Sequence, residues 1–153
     1  MEGSTKPERA TVQVRPCQPE DFDGVLRLLA QLWPNQSLDP NRTRCVFDRA
    51  VISDRQVYLC AILQEQVVGF GSLTIKNNLW QQGYLANVDE LVVEEEQRRR
   101  GIGEQLLAHL VELAIQRDCR RIELDSSFHR EPAHRFYEAL GFQKRAFLFS
   151  KVL

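Results

Sequence analysis

The chain has 153 residues, 43% of them apolar and 27% charged, and a formal net charge of −1. This composition is typical of a globular domain and argues against a disordered, fibrous or generally nucleic-acid-binding chain. The longest apolar run, Val57–Leu63, is too short to span a membrane. Residues 1–10 lack a secretory signal pattern. The spacing of the Cys and His residues does not predict a metal site. We therefore expect a cytoplasmic protein with a flexible tail over residues 1–10 and a single domain over residues 11–153.

The first half of the chain predicts one strand, two helices and a hairpin. Val12 and Val14 flank a polar residue, which is typical of a strand, and apolar residues then recur at helical spacing up to Pro34. Asp39 followed by Pro40 is typical of a helix start. The predicted elements are a strand at 11–15, helices at 21–33 and from 40 to about 53, and hairpin strands at 56–64 and 67–76.

The second half predicts a parallel crossover followed by a helix and a strand. A strand over residues 84–93 ends in the continuous apolar step Leu91–Val93, which suits burial on both faces. An amphipathic helix to about Arg117 and a strand over 121–125 complete the crossover. A short helix over 132–140 and an alternating strand over 142–153 follow. This order predicts an α/β or α+β mixed sheet with helices packed against it.

The turn before the long helix has the composition of an anion site. Gly101 and Gly103 let backbone N–H groups approach a ligand at the positive end of the helix. Arg98, Arg99 and Arg100 add three cations suited to phosphate. Neither the Walker loop nor the dinucleotide-binding pattern is present. The alternative interpretation is that the glycines only shape the turn and the arginines form a solvated face.

Two motifs, in this order, resemble those of the GNAT acetyltransferase superfamily. The first is Leu91–Val93 followed by Arg98-x-x-Gly101-x-Gly103, and the second is the run from Ala133 to Phe142, which matches A-x-x-F-Y-x-x-x-G-F. The resemblance implies a GNAT-like fold of six to seven strands with a central splay and helices on both faces. It also implies acetyl-CoA as co-substrate and no metal. The residues it assigns to the pantetheine arm are Leu91, Val92 and Val93, and those it assigns to the pyrophosphate are Arg98, Arg99, Arg100, Gly101, Ile102 and Gly103.

The resemblance further implies two groups that move protons. The tyrosine matching Tyr137 lies beside the coenzyme sulfur in relatives and often protonates the leaving thiolate, and the residue matching Glu90 often acts as the general base or positions water for it. Attack by the amine would be direct, in a ternary complex, with the Val92 N–H stabilising charge on the thioester oxygen. Two alternatives stay open: Tyr137 as an ordinary core tyrosine, and Asp89 as the base in place of Glu90.

The acceptor is predicted to be a small primary amine. The C-terminal half is similar to the aminoalkylphosphonate N-acetyltransferase branch, although Ala146 and Leu148 replace basic residues which that branch carries. Aminoglycoside acetyltransferases share much of the same tail pattern, and the acidic residues Asp89, Glu90 and Asp125 would attract a cationic amine. The resemblance also implies a homodimer, as relatives often form. The alternative functions are acetylation of a protein or peptide amine and acetyl-CoA sensing without turnover.

Overall fold

The computed structural model describes residues 5–153, which form two compact units, one ending at Glu123 and the other comprising Leu124–Leu153. Each element predicted between residues 11 and 140 is present and begins and ends within two residues of its prediction. The strands are β1 (Gln13–Pro16), β2 (Gln56–Leu63), β3 (Gln66–Asn78), β4 (Gly83–Val93) and β5 (Cys119–Leu124). The α-helices are α1 (Phe22–Leu32), α2 (Pro40–Val51), α3 (Ile102–Gln116) and α4 (Glu131–Ala139).

The five strands form one sheet whose spatial order is the chain order. β1 to β4 pair antiparallel, and β5 lies beside β4 at the edge. The connection from β4 to β5 passes through α3, and a helical crossover of this kind joins parallel strands. The prediction of an α/β mixed sheet is therefore confirmed. Among the residues described, no helix combines the length and the apolar composition that crossing a bilayer requires.

The predicted strand over residues 142–153 is wrong, and the sheet has five strands in the described chain instead of six or seven. Residues 143–153 adopt no strand, and Phe147 and Phe149 are 73% and 91% exposed. A strand depends on a neighbour, because its N–H and C=O groups bond outside the strand. Alternation of apolar and polar residues alone therefore does not make a strand, and in the described chain residues 142–153 belong to no sheet.

Helices cover both faces of the sheet, as predicted. On one face, α1 and α2 pack over Phe70 together with Phe22 and Phe47. On the other face, α3 lies so close to β3 that a Cβ added at Gly69 would be 2.8 Å from a methyl carbon of Leu106. Successive residues of a strand face opposite sides of the sheet. Phe70 therefore faces α1 and α2, whereas Gly69 and Gly71 face α3.

The segment before β1 is held against the start of α3. The Ala10 N–H donates to the Arg100 carbonyl at 2.9 Å, and the Arg100 guanidinium donates to the Glu8 carbonyl at 3.0 Å. Ala10 is buried. Residues 8–10 thus pack on the domain, whereas the first part of the predicted tail, residues 1–4, lies outside the described residues.

Two buried thiols lie beside a partly buried ion pair at the end of β1. The Sγ atoms of Cys17 and Cys60 and a carboxylate oxygen of Asp21 lie within 4.8 Å of one another. Both oxygens of Asp21 accept hydrogen bonds from the Arg15 guanidinium, at 2.7 and 3.0 Å, and one also accepts the Gln18 N–H at 2.7 Å. The carboxylate is therefore engaged in the ion pair that joins β1 to the turn before α1.

Candidate active site

A β-bulge in β4 positions the candidate base. Gly71 on β3 pairs with Leu91, but Leu73 pairs with Val88, so two residues of β4, Asp89 and Glu90, lie opposite the single residue Ser72. A bulge of this kind bends the strand and redirects its side chains.

The Ser72 hydroxyl fixes Glu90 from across the bulge. It donates to the Glu90 carboxylate and accepts the Glu90 N–H at 3.0 Å. Ser72 is fully buried, so both of these bonds are shielded from water. The role of Ser72 was not predicted, because one serine among apolar strand residues carries no signal of its partner 18 positions away.

Glu90 and Asp89 occupy different environments. Glu90 lines a cavity of about 260 Å³ between the α1–α2 pair and the sheet, and burial raises the pKa of its carboxyl, with a further upward contribution from the charge of Asp89 and a downward one from the Ser72 bond. Asp89 is exposed and accepts hydrogen bonds from the Thr74 hydroxyl and the Asn87 amide, the latter at 2.8 Å. Of the two carboxylates, Glu90 is the one that faces this partly open cavity.

Aromatic side chains build the wall of this cavity. Phe22 and Phe47 stack edge-on with centroids 5.5 Å apart, Tyr58 lies 5.7 Å from Phe47, and Phe70 lies 5.2 Å from Tyr58. Burial and the charge of Glu90 raise the pKa of Tyr58 to about 12. The Tyr58 hydroxyl therefore stays protonated near neutral pH.

The start of α2 is fixed by its N-cap, which sets the outer wall of the cavity. The Asp39 carboxylate accepts the N–H groups of Asn41 and Arg42 at 2.9 and 3.0 Å, and Pro40 occupies the first turn. Capping and proline together determine where the helix begins. From this start, Val46 and Phe47 reach the cavity about two turns later.

The loop from β4 to α3 has two residues in the left-handed region. Arg99 has φ +64° and Gly101 has φ +77°. Left-handed residues turn successive N–H groups toward one side, which makes an anion-binding concavity, and the first N–H groups of α3 have no partner within the helix. The residues predicted for the pyrophosphate, including Ile102 and Gly103, thus lie together at one helix start, directly after Leu91–Val93 of β4.

The three arginines of this loop are not equivalent. The Arg98 guanidinium donates to the Val93 carbonyl at 3.1 Å, and that of Arg100 donates to Gln97 and to the Glu8 carbonyl. Arg99 is exposed. Two of the three side chains therefore brace the loop, a role that the charge run alone did not predict.

A fourth arginine, which the sequence analysis missed, lies at the same helix start. A Cβ built at Gly101 would lie 3.1 Å from the Nη1 atom of Arg9, and Arg9 pairs with Glu104 at 3.2 Å. Nothing in the sequence near residue 9 indicates this placement, because it depends on the packing of residues 8–10 against α3.

Tyr137 lies on α4 in the second compact unit. Its ring is 5.3 Å from Phe136 and 5.9 Å from Phe142, centroid to centroid. Burial raises the pKa of its hydroxyl, the nearby Arg130 lowers it, and Asp125 raises it. The phenol is therefore a proton donor rather than a phenolate at neutral pH.

Comparison with known proteins gives matches over nearly the whole chain. The family described as Acetyltransferase (GNAT) family matches residues 22–142. The aminoalkylphosphonate N-acetyltransferase of Salmonella typhimurium is 33% identical over 141 residues, 92% of this chain and 91% of that protein. The probable glucosamine 6-phosphate N-acetyltransferase 2 of Oryza sativa subsp. japonica is 26% identical over 93% of this chain and 94% of that protein. A solved aminoglycoside N-acetyltransferase in complex with CoA shares the fold, with a TM-score of 0.81, 20% identity, and coverage of 95% of this chain and 97% of that one.

Proposed function

The chain belongs to the GNAT acetyltransferase family, and we propose that it transfers the acetyl group of acetyl-CoA to the primary amine of a small molecule by direct attack in a ternary complex. The observation that carries this proposal is the partly buried Glu90 carboxylate, held by Ser72 at a bulge and facing a cavity. Relatives named for small amine substrates support the class of acceptor. A cytoplasmic location and a homodimeric state stay predictions.

In this proposal, acetyl-CoA is held by β4 and by the loop that follows it. The left-handed residues Arg99 and Gly101 and the open N–H groups at the start of α3 suit a pyrophosphate. The backbone of Leu91–Val93 would pair with the pantetheine arm. When bound, the thioester supplies the activated acetyl group, and the Val92 N–H would stabilise negative charge on its oxygen.

Glu90 would serve as the base. An ammonium cannot attack a carbonyl, so an amine of pKa about 10 must first give up a proton. Burial raises the pKa of Glu90 and so makes its carboxylate a better proton acceptor than an exposed one. The amine nitrogen then forms the amide bond as the carbon–sulfur bond breaks, with the amine's protons passing to Glu90 and solvent.

Tyr137 would serve as the acid. Its partly buried phenol keeps its proton near neutral pH and could give it to the departing thiolate, regaining one from solvent. The products would be the N-acetylated amine and CoA with its thiol protonated, so that atoms and charge balance.

Bisubstrate kinetics test this proposal. Thiol release from acetyl-CoA is measured over a grid of acetyl-CoA and amine concentrations, with wild type, Tyr137→Phe and the matched surface variant Tyr84→Phe. We expect intersecting initial-rate lines, no acetylated protein by mass spectrometry, and a loss of kcat of about tenfold or more in Tyr137→Phe alone. Parallel lines with an acetylated side chain would contradict direct attack, and unchanged kcat in Tyr137→Phe would remove it as the acid.

A further inference from the structure

The cavity at Glu90 has an apolar wall and one acidic group. Ring atoms of Phe22, Trp33, Phe47, Tyr58 and Phe70 line it, together with aliphatic side chains of α1 and α2. Of the described residues lining this cavity, Glu90 is the one carboxylate and Arg42 the one cation. The volume of about 260 Å³ lies slightly below that of ordinary ligand pockets, roughly 300–1,000 Å³, and therefore suits a small ligand.

This charge distribution suits an ammonium group and does not suit an anionic one. A buried carboxylate is stabilised by a cation beside it, and aromatic faces also attract an ammonium group. The Arg42 side chain is 89% exposed and 3.9 Å from the Asp39 carboxylate, so its guanidinium points to solvent beside an acid. A phosphonate or phosphate would lose its hydration on entering the cavity and would need a buried cation to compensate. No residue that lines the cavity in the described chain provides one.

We propose that the acceptor is a primary amine on a compact apolar body, such as an arylalkylamine or a branched alkylamine, with no anionic group. The ammonium would lie at Glu90, and the hydrocarbon would lie against the Phe22–Phe47–Tyr58–Phe70 rings. Burial of the hydrocarbon supplies the affinity, and Glu90 supplies the orientation. This inference rests on the proposed acetyl transfer, because it specifies the acceptor of that same site.

A panel of matched amines tests the substrate class. Thiol release is measured for the full chain with phenethylamine, with phenylalanine (the same body carrying a carboxylate), with cyclohexylmethylamine and with 2-aminoethylphosphonate. We expect kcat/KM for the two apolar amines to exceed that for the two anionic amines by at least tenfold. A kcat/KM for 2-aminoethylphosphonate or phenylalanine that is higher than, or within tenfold of, that for the apolar amines would overturn the inference while leaving acetyl transfer intact.

Binding separates this inference from the proposed function. If no amine is turned over, saturation-transfer NMR shows whether the protein binds phenethylamine or 2-aminoethylphosphonate. Selective binding of phenethylamine, lost when Val46→Trp adds bulk at the half-exposed rim of the cavity, would support an apolar amine site and count against acetyl transfer. Binding of neither amine, or of the phosphonate alone, would overturn the inference.

A pair of α2 variants provides a second test. Val46 lines the cavity and is 49% exposed, whereas Ile52, just after the helix, is 86% exposed and outside the lining. Val46→Arg should shift the ratio of kcat/KM for 2-aminoethylphosphonate over phenethylamine upward by at least fivefold, because it adds a cation at the cavity. Ile52→Arg adds the same charge elsewhere and should leave the ratio unchanged. Equal ratios in the two variants would contradict the placement of the acceptor.

Discussion

Replacement of Gly101 by alanine tests the role of the loop before α3. Gly101 has φ +77°, and a Cβ there would lie 3.1 Å from the Arg9 guanidinium. Gly141 provides a matched control, because it has φ +91° with nothing within 4 Å of an added Cβ. Both variants place an alanine in the left-handed region, but only Gly101→Ala disturbs the helix start proposed to hold the pyrophosphate.

The magnitudes follow from the two effects. A non-glycine residue in the left-handed region costs roughly 1–2 kcal/mol, and each kcal/mol lowers Tm by about 2–4 °C for a chain of this size. Both variants should therefore lose about 2–8 °C. Loss of one hydrogen bond from a backbone N–H to a charged phosphate costs about 1.5–3 kcal/mol. Gly101→Ala should therefore weaken acetyl-CoA binding by roughly ten- to a hundredfold.

Calorimetric titration with acetyl-CoA, beside thermal unfolding of each variant, measures both quantities. We expect Gly141→Ala to bind acetyl-CoA as the wild type does, despite its lower Tm. Gly101→Ala could instead show the same decrease in Tm as Gly141→Ala and still bind acetyl-CoA with wild-type affinity. That result would make the loop a structural turn and would refute the proposal that its left-handed backbone binds the pyrophosphate.

Two further predictions concern Ser72 and the Arg15–Asp21 pair. The hydrogen bond from Ser72 lowers the pKa of Glu90, so Ser72→Ala should raise that pKa. The acidic limb of the kcat/KM–pH profile should then move to higher pH. A limb that does not move would exclude Glu90 as the titrating base. The Arg15 guanidinium holds the pKa of the Asp21 carboxyl below its ordinary value. The pair therefore contributes its full stability at pH values above the unfolded-state pKa of about 3.9. That contribution is lost as the pH falls through the lower pKa of the folded state. Asp21→Asn should therefore lower the unfolding free energy by about 1.5–3 kcal/mol at pH 7 and by progressively less in acid; a pH-independent difference in urea unfolding would contradict this.

Much of the fold follows from local sequence patterns. Helical spacing in α1 and α3 and alternation in the strands reflect which residues face the core, so periodicity located these elements within two residues. The position of Gly101 at the start of α3 was predicted from the sequence, but its left-handed backbone was not. The segment after Gly141 differs because strand formation depends on a partner, and alternation says nothing about whether a partner is present.

The site was less accessible to prediction than the fold. Glu90 could be named from motif position, but its environment depends on a bulge that sets two residues of β4 against Ser72 on β3. The aromatic wall likewise combines rings from α1, α2, β2 and β3, such as Phe22 and Tyr58. Such long-range juxtapositions leave no periodic signal, because each residue is compatible with an ordinary core position.

The most direct test of acetyl transfer with Glu90 as base compares Glu90→Gln with Asp89→Asn. The neighbouring carboxylates lie in the same bulge, but only Glu90 lines the cavity. With the best amine of the panel and acetyl-CoA, Glu90→Gln should lose about 10²–10⁴-fold in kcat while binding acetyl-CoA normally by calorimetry, and Asp89→Asn should retain turnover. Equal loss in both variants, or full activity in Glu90→Gln, would contradict the account.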